Sequence, residues 1–244
     1  MFCQNQSVMS RSEPGNPKCI TGSKRSDLSF LTLLPYKEVF PYRGLIKTTG
    51  AACFECYEEQ SEIGGVYDAL IWQIEPITIC SKHGHRLQTT CLYKDCGMPL
   101  RFIGPRHHLG YCSYCLRWLG TNLLPSHPPL TSTEKEEQTY IVSAVGELLA
   151  TAPALELRPN RNNISGIIRR GVNELFDGNG KAFATALGLH HKTLYELRDG
   201  TQLPQIGTLL KLCRLLGTTP LKLITNGAVW CGGKSHGDRP FLKC

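Results

Sequence analysis

Several features that would place this 244-residue sequence in a familiar class are missing. No apolar run approaches the ~20 residues that a membrane-spanning helix needs. The first ten residues lack the basic start and the apolar centre of a secretory signal peptide. We therefore expect a cytoplasmic protein with no membrane partner, in a reducing compartment where structural disulfides are rare. The 12 cysteines of the chain need another explanation.

Signatures of catalysis are also scarce. The sequence contains neither a paired-carboxylate pattern nor a nucleophile with a partner base in a defined arrangement. The tail segment Gly233-Lys234-Ser235 resembles part of a phosphate-binding loop, but Ala228 stands where that loop requires its first glycine. We therefore expect no enzymatic activity and interpret residues 226–244 as a flexible tail.

What the sequence does contain is four close pairs of metal-ligating residues between positions 53 and 115. A spacing of two to four residues lets one turn aim both side chains at a single ion, and two such pairs close a tetrahedral zinc site with no open position. The pairs therefore predict two structural zinc ions. The eight predicted ligands are Cys53, Cys56, Cys80, His83, Cys91, Cys96, Cys112 and Cys115.

Spacing alone leaves the assignment of pairs to ions open. Pairing in chain order is favoured, and interleaved pairing is the alternative. His85, His107 and His108 are spare candidates, and His85 could replace His83 in a longer turn. Disulfides are the competing explanation, but seven of the 12 cysteines fall within this short segment. Without a secretory context, such clustering favours zinc.

The basic charge of the chain is concentrated near its C-terminus. From Cys53 to Cys115, five Lys or Arg residues oppose seven Asp or Glu residues, a net charge of −2; from Arg158 to Lys222, ten oppose four, a net charge of +6. Because phosphate attraction supplies much of the affinity for nucleic acid, we expect the later segment to bind DNA and the metal-ligand segment to contact a protein. Aromatic residues are enriched at such contacts. The exposed candidates are Phe54, Tyr57, Tyr111, Tyr114 and Trp118, and the alternative is that most of them cover the zinc sites.

The basic segment has the pattern of a helix-turn-helix. Helices are predicted over residues 164–176, 181–187 and 191–197. Gly188 can adopt the left-handed backbone of a tight reversal, and the following leucine can fill the angle between two helices. Leucines from position 209 onward predict a fourth helix, and Pro220 begins the segment that closes the core.

In a helix-turn-helix unit the third helix lies in the major groove of DNA, with its N-terminal and outward residues reaching the base edges. The competing interpretation is a plain four-helix bundle whose outer face is solvated. The predicted DNA-contacting residues are His190, His191, Lys192, Tyr195, Glu196 and Arg198.

Two further segments are predicted from their apolar spacing. Residues 67–74 are expected to pack as a short helix over the first metal site. Tyr140–Leu149 is expected to form an amphipathic helix after a Pro-rich connector, with the acidic residues at 134–137 near its start.

Together these patterns predict a mainly α-helical chain with small zinc-ribbon or zinc-knuckle modules, arranged as a tandem zinc module plus a C-terminal helix-turn-helix domain. The expected segments are a poorly ordered N-terminal remnant and anchor at 1–45, the tandem zinc-binding module at 46–120, a Pro-rich, acidic linker with a connecting helix at 121–160, a Cro-like helix-turn-helix domain at 161–225, and the tail at 226–244.

Six short motifs occur in a fixed order between Asp27 and Gly120, and together they closely resemble the TniQ family, whose longer relatives are called TnsD. The motifs are Asp27-Leu-Ser-Phe-Leu-Thr32, Cys53-x-x-Cys56, Tyr67-x-x-Leu-Ile-Trp72, Cys80-x-x-His83-Gly84, the second group of four cysteines, and Trp118-Leu-Gly120.

The resemblance implies a targeting subunit of a bacterial transposon. TniQ proteins are non-enzymatic adaptors that link a target, either a DNA sequence or an RNA-guided Cas complex, to an AAA+ ATPase regulator that engages the transposase. Family members usually have a longer helical region before the first ligand, so the 52 residues that precede Cys53 predict an N-terminally short form. The alternative function is a stand-alone zinc-containing helix-turn-helix transcriptional regulator.

Overall fold

The structure is a computed structural model that describes residues 32–101, 104, 107–120, 128–155 and 158–226. The predictions for the start of the chain, for most of the Pro-rich connector and for the C-terminal tail lie outside these residues. Within them the chain is mainly α-helical, as predicted, and β-structure is limited to five isolated antiparallel bridges. No helix of the described part is long and apolar enough to cross a membrane.

The helices divide unevenly along the chain, with one α-helix before residue 120 and six after residue 130 in the described ranges. They are α1 (Phe54–Ile63), α2 (Ser132–Thr151), α3 (Asn162–Leu175), α4 (Gly180–Ala186), α5 (His191–Arg198), α6 (Ile206–Leu215) and α7 (Pro220–Asn226). Short 3₁₀ turns lie at Leu34–Tyr36, Leu70–Gln73 and Ala152–Ala154.

The prediction of a helix over residues 67–74 is wrong apart from the single 3₁₀ turn at Leu70–Gln73. Tyr67 is 58% exposed and does not belong to the core. Backbone carbonyls at and just beyond the end of this segment are bound by a side chain. They are the carbonyls of Trp72, Ile74 and Ile77, which accept from Lys47 Nζ at 2.5, 2.9 and 2.5 Å.

Helix α2 is twice as long as the predicted connecting helix and begins earlier, at Ser132. Its start is fixed by a capping box: the Thr131 hydroxyl accepts from the Glu134 N–H at 3.3 Å, and the Glu134 carboxylate accepts from the Thr131 N–H at 2.9 Å. This arrangement satisfies two N–H groups that an uncapped helix would leave unpaired. The hydrogen bonds with Thr131 and Arg86 hold the pKa of Glu134 down at about 2.

Both parts of the chain pack against α2, so this helix is part of the core. On the metal-ligand side, Tyr36 donates to the Leu148 carbonyl at 2.8 Å, and Gln138 Oε1 accepts from the Thr78 N–H at 2.8 Å. On the other side, Tyr140 donates to the Leu210 carbonyl at 3.4 Å. One contiguous cluster of buried apolar residues runs through all of these elements.

Helices α3 to α7 form a compact bundle whose boundaries lie close to the predicted ones. Buried leucines and isoleucines from α3, α5 and α6 meet around Phe183 of α4. Gly188 has a φ of 66°, as its predicted role in the reversal requires, and Leu189 is partly buried against the core. Gly171 lets α3 approach closely, because a Cβ there would lie 3.1 Å from the Phe183 ring.

Candidate functional site

The eight predicted metal ligands form two groups in chain order, and in each group the ligand atoms all lie within 4.8 Å of one another. In the first group, His83 Nδ1 lies 3.3 Å from Cys53 Sγ and 3.4 Å from Cys56 Sγ, and the sulfurs of Cys56 and Cys80 are 3.5 Å apart. A zinc ion with Zn–S bonds of ~2.3 Å would set the edges of its tetrahedron at about 3.8 Å. The group fits that size.

The second group consists of four cysteines with similar spacing. Cys91 Sγ lies 3.8 Å from Cys115 Sγ, and Cys96 Sγ lies 3.7 Å from Cys112 Sγ. These separations are far above the ~2.05 Å of a disulfide, so the structure does not support the disulfide alternative. Each group could hold one metal ion in a closed four-ligand site.

Three of the four ligand pairs lie in turns of the same construction. One isolated bridge closes each turn, and the first ligand donates its N–H to a carbonyl near the end of the turn. The bridges are Ile79 with Arg86, Thr90 with Pro99, and Tyr111 with Trp118. The N–H bonds are Cys80 to His85 at 2.8 Å, Cys91 to Met98 at 2.8 Å, and Cys112 to Arg117 at 3.0 Å.

The residue after the second ligand of each turn has a positive φ. In the first two turns it is glycine, with a φ of 68° at Gly84 and 57° at Gly97. In the third it is Leu116, with a φ of 59°. A non-glycine residue in this region costs about 1–2 kcal/mol. The backbone of the third turn is therefore strained. Its order depends more than that of the first two turns on its ligands being held together.

The fourth pair lies at the start of α1, which the sequence analysis missed. Cys53 is the residue that precedes the helix, and Cys56 lies in its first turn. Unpaired N–H groups and the helix dipole favour negative charge at this end, which suits cysteine thiolates. The signal that could have revealed α1 is the pair of glycines at its end, where Gly64 has a φ of 84°.

A carboxylate of α1 orients the histidine ligand. Glu59 Oε1 lies 3.2 Å from His83 Nε2, and Lys82 Nζ lies 2.6 Å from the other oxygen of Glu59. A carboxylate on the distal nitrogen of a ligating histidine fixes its ring and its tautomer. His83 is thus held with Nδ1 toward the three sulfurs.

The spare histidines do not join either group. His85 is exposed and lies 2.6 Å from a carboxylate oxygen of Glu55. His107 lies 3.2 Å from Asp68 Oδ2, and His108 belongs to neither cluster. The structure therefore selects His83 over His85 on geometry.

The charge environment favours the metal-binding thiolate form of one cysteine in each group. A hydrogen bond from Cys53 lowers the pKa of the Cys80 thiol to about 4. Burial opposes ionisation of Cys115, but hydrogen bonds from Arg117 lower the pKa of that thiol to about 6. Thiolates are the form that binds metal, so one cysteine of each group is predisposed to bind a cation. The pKa values of Cys56, Cys91 and Cys96 are raised by burial, and that of Cys53 is raised by its hydrogen bond with Cys80.

The prediction that five aromatic residues are exposed is wrong for two of them. Phe54 and Tyr57 are 7% and 4% exposed and belong to the core, whereas Tyr111 and Tyr114 are exposed. The fifth, Trp118, is partly buried between two glycines, and a Cβ at Gly110 would lie 2.2 Å from its ring. Only glycine fits this position without displacing the indole.

The six predicted DNA-contacting residues lie on α5 or immediately before it, and none is buried. His190 caps the helix through Nδ1, which accepts from the Lys192 N–H at 3.3 Å. Tyr195 is 41% exposed, and the Arg198 guanidinium lies 4.5 Å from the centre of its ring. The opposite face of α5 buries Leu194 and Leu197. One side of the helix is thus anchored, and the other is open.

Comparison with known proteins identifies one family. The TniQ family model matches residues 5–87. The match contains the first ligand group and ends before the second. It also begins inside the segment that was interpreted as a poorly ordered remnant. No curated protein matches the chain. Residues 5–87 are therefore similar to the TniQ family, the family that the sequence motifs resemble.

Proposed function

We propose that this protein is a non-enzymatic targeting adaptor of DNA transposition that links target DNA, or an RNA-guided complex, to an AAA+ transposition regulator. The observation that carries the proposal is the TniQ domain, which implies a transposition-associated targeting protein. The basic helical half supplies a second surface, and α2 connects it to the TniQ domain through hydrogen bonds on both sides.

In this proposal both ligand groups hold structural zinc. Their donor sets, three cysteines with one histidine and four cysteines, are those of closed zinc sites. Bound zinc would cross-link segments that are far apart in the chain, and such binding contributes on the order of 10 kcal/mol to folding in isolated zinc-finger peptides. All four positions are filled by protein ligands, so we assign these sites a scaffolding role.

For the helical half we propose a helix-turn-helix in which α4 and α5 flank the reversal at Gly188. The net charge of +6 between Arg158 and Lys222 suits the phosphate backbone of DNA. Helix α5 is anchored on one side by buried leucines and open on the other, as a recognition helix must be. His191, Lys192 and Tyr195 are the residues best placed to reach base edges.

The surface proposed for the AAA+ regulator is the exposed face of α1. Residues 53–90 contain two Lys or Arg against six Asp or Glu, a net charge of −4, whereas residues 91–120 contain four against one, a net charge of +3. The acidic charge of the metal-ligand half is therefore concentrated around the first group. Glu62 lies on α1 beside Ile63, which is 86% exposed.

A bridging experiment tests the adaptor. Immobilised duplex DNA should retain the AAA+ regulator encoded nearest to this gene only when the full-length chain is present. Lys192→Ala should reduce retention of both proteins, because Lys192 lies on the proposed DNA face. Glu62→Lys should leave the chain on DNA and release the regulator. Glu136→Lys makes the same charge change on the exposed part of α2 and is the matched control.

The outcomes separate the two candidate functions. A chain that binds DNA but never retains the regulator would favour the stand-alone transcriptional regulator. Loss of the regulator in both glutamate variants would place its contact away from α1. Neighbouring genes for an ATPase and a transposase would independently support the adaptor.

A further inference from the structure

An open notch of about 390 Å³ lies between α3, the turn that follows it and the C-terminal end of α5. The notch is separate from the residues assigned to base contact, apart from one arginine that the two surfaces share. Its lining residues are Arg169, Val172, Asn173, Gly178, Arg198 and Asp199.

The polar side chains of the notch suit an anion with several oxygens. Arg169 and Asn173 are four residues apart on α3 and therefore lie on one face of that helix. Both are exposed, and among the described residues neither side chain has a hydrogen bond or an ion pair. An arginine fork matches the geometry of a phosphate group, and an amide adds two donors. This pair is thus available to bind one.

The second arginine of the notch is already oriented. Arg198 Nε donates to Asp199 Oδ1 at 3.0 Å, and its guanidinium lies over the Tyr195 ring. The pairing neutralises the carboxylate of Asp199, so the notch keeps a net positive charge from Arg169. Arg198 retains N–H donors beyond the one that Asp199 accepts.

The position of the notch relative to α5 indicates which phosphate it would meet. The eight residues of α5 span about 12 Å, close to the ~12 Å width of the DNA major groove. When the first turn of α5 contacts base edges, its last turn lies near the strand that borders the groove. Arg198 lies in that last turn and lines the notch.

We propose that the notch binds a backbone phosphate of duplex DNA, with Arg169 and Asn173 as positioning residues that fix how α5 enters the groove. This inference rests on the proposed DNA binding of the helical half. It assigns α3 a direct contact with DNA, in addition to its packing role.

The experiment compares two adjacent arginines in the full-length chain. Each phosphate contact removed should lower the slope of log affinity against log salt by about one. Arg169→Gln should therefore reduce that slope by about one for every duplex sequence tested. Arg170→Gln, the matched control, removes the same charge from the same helix, but Arg170 pairs with Glu174 at 3.4 Å and does not line the notch. It should leave the slope nearly unchanged.

A third variant tests whether affinity for DNA rises when the notch loses a negative charge. Asp199→Asn removes the only carboxylate of the notch and frees Arg198, so it should raise affinity for duplex DNA at a given salt concentration. Equal slopes for the two arginine variants, or a sequence-dependent loss in Arg169→Gln, would overturn the phosphate site alone. Failure of the unmodified chain to bind any duplex would overturn the proposed DNA binding and this site together.

Discussion

The described residues between 46 and 120 contain one ten-residue helix, a 3₁₀ turn at Leu70–Gln73 and turns joined by single bridges, whereas residues 158–226 form five helices around buried leucines and isoleucines. In the first region, five of the seven cysteines of the two ligand groups occupy turns that are each closed by a single bridge. In the second region, each helix buries apolar residues against the others. The comparison indicates that the first region depends on its ligands as well as on buried residues such as Trp72 and Ile77, and the second on apolar burial alone.

Metal removal should have the largest effect and should separate the two regions. Chelation should unfold residues 46–120, because zinc binding is worth on the order of 10 kcal/mol in isolated finger peptides, while α3 to α7 stay protected. Hydrogen exchange monitored by mass spectrometry would show it. Cys53→Ser and Cys112→Ser should each lose one zinc ion by elemental analysis.

The matched control for the cysteine variants is Cys213→Ala. Cys213 is fully buried in α6 and belongs to neither ligand group, so this variant should keep both ions. A metal content near zero in unmodified protein kept reduced throughout would contradict the scaffold role of the clusters.

A core substitution in the helical region should produce the reverse pattern. Leu209 is fully buried in α6, and Leu209→Ala should lower the free energy of unfolding by about 2–5 kcal/mol through lost transfer energy and an unfilled cavity. The variant should retain both metal ions, as measured by elemental analysis beside thermal unfolding. Loss of metal in this variant would show that the two regions fold as one unit.

Two glycines of the second ligand group should differ although their backbones are similar. Gly110 and Gly97 have φ values of 78° and 57°, so either Gly→Ala change costs about 1–2 kcal/mol in backbone strain. At Gly110 the added Cβ would also lie 2.2 Å from the Trp118 ring, whereas nothing lies within 4 Å at Gly97. We expect Gly110→Ala to cost about 1–3 kcal/mol more. Chemical denaturation of both variants would measure the difference, and equal losses would contradict it.

The hydrogen bond that joins Tyr36 to α2, the helix between the two regions, should give the smallest effect. Tyr36→Phe removes the buried hydrogen bond to the Leu148 carbonyl and should cost about 1 kcal/mol at neutral pH. Burial, with a smaller effect of Glu147, raises the pKa of Tyr36 to about 12.

The pH dependence of this contact has a definite sign. The folded protein keeps the Tyr36 proton above pH 10, where the unfolded chain releases it, so the contribution is full below pH 10 and is lost as the pH rises toward 12. Urea titrations should show the difference between unmodified protein and Tyr36→Phe shrinking over that window. A constant difference would place the Tyr36 hydroxyl in water.

Sequence reasoning was most successful where the properties of neighbouring residues are enough to determine the structure. Ligand spacing indicated the eight residues that the structure gathers, and the reversal at Gly188 was placed from its conformational needs. It failed to predict α1, because the spacing of Cys53 and Cys56 indicates a turn and gives no sign of the helix that starts there. It also failed at residues 67–74, where the backbone becomes extended at Ile74 and Lys47 binds carbonyls at and just beyond the end of the segment.

The sequence by itself determined the residue types, the spacing of the ligand pairs and the separation of charge along the chain, because these depend only on neighbouring positions. Tertiary structure decided how the pairs combine, that His83 rather than His85 faces the sulfurs, and that the predicted linker helix is part of the core. These outcomes depend on distances between residues far apart in the chain. Only the packed chain fixes such distances, as the 2.8 Å bond between Tyr36 and Leu148 illustrates.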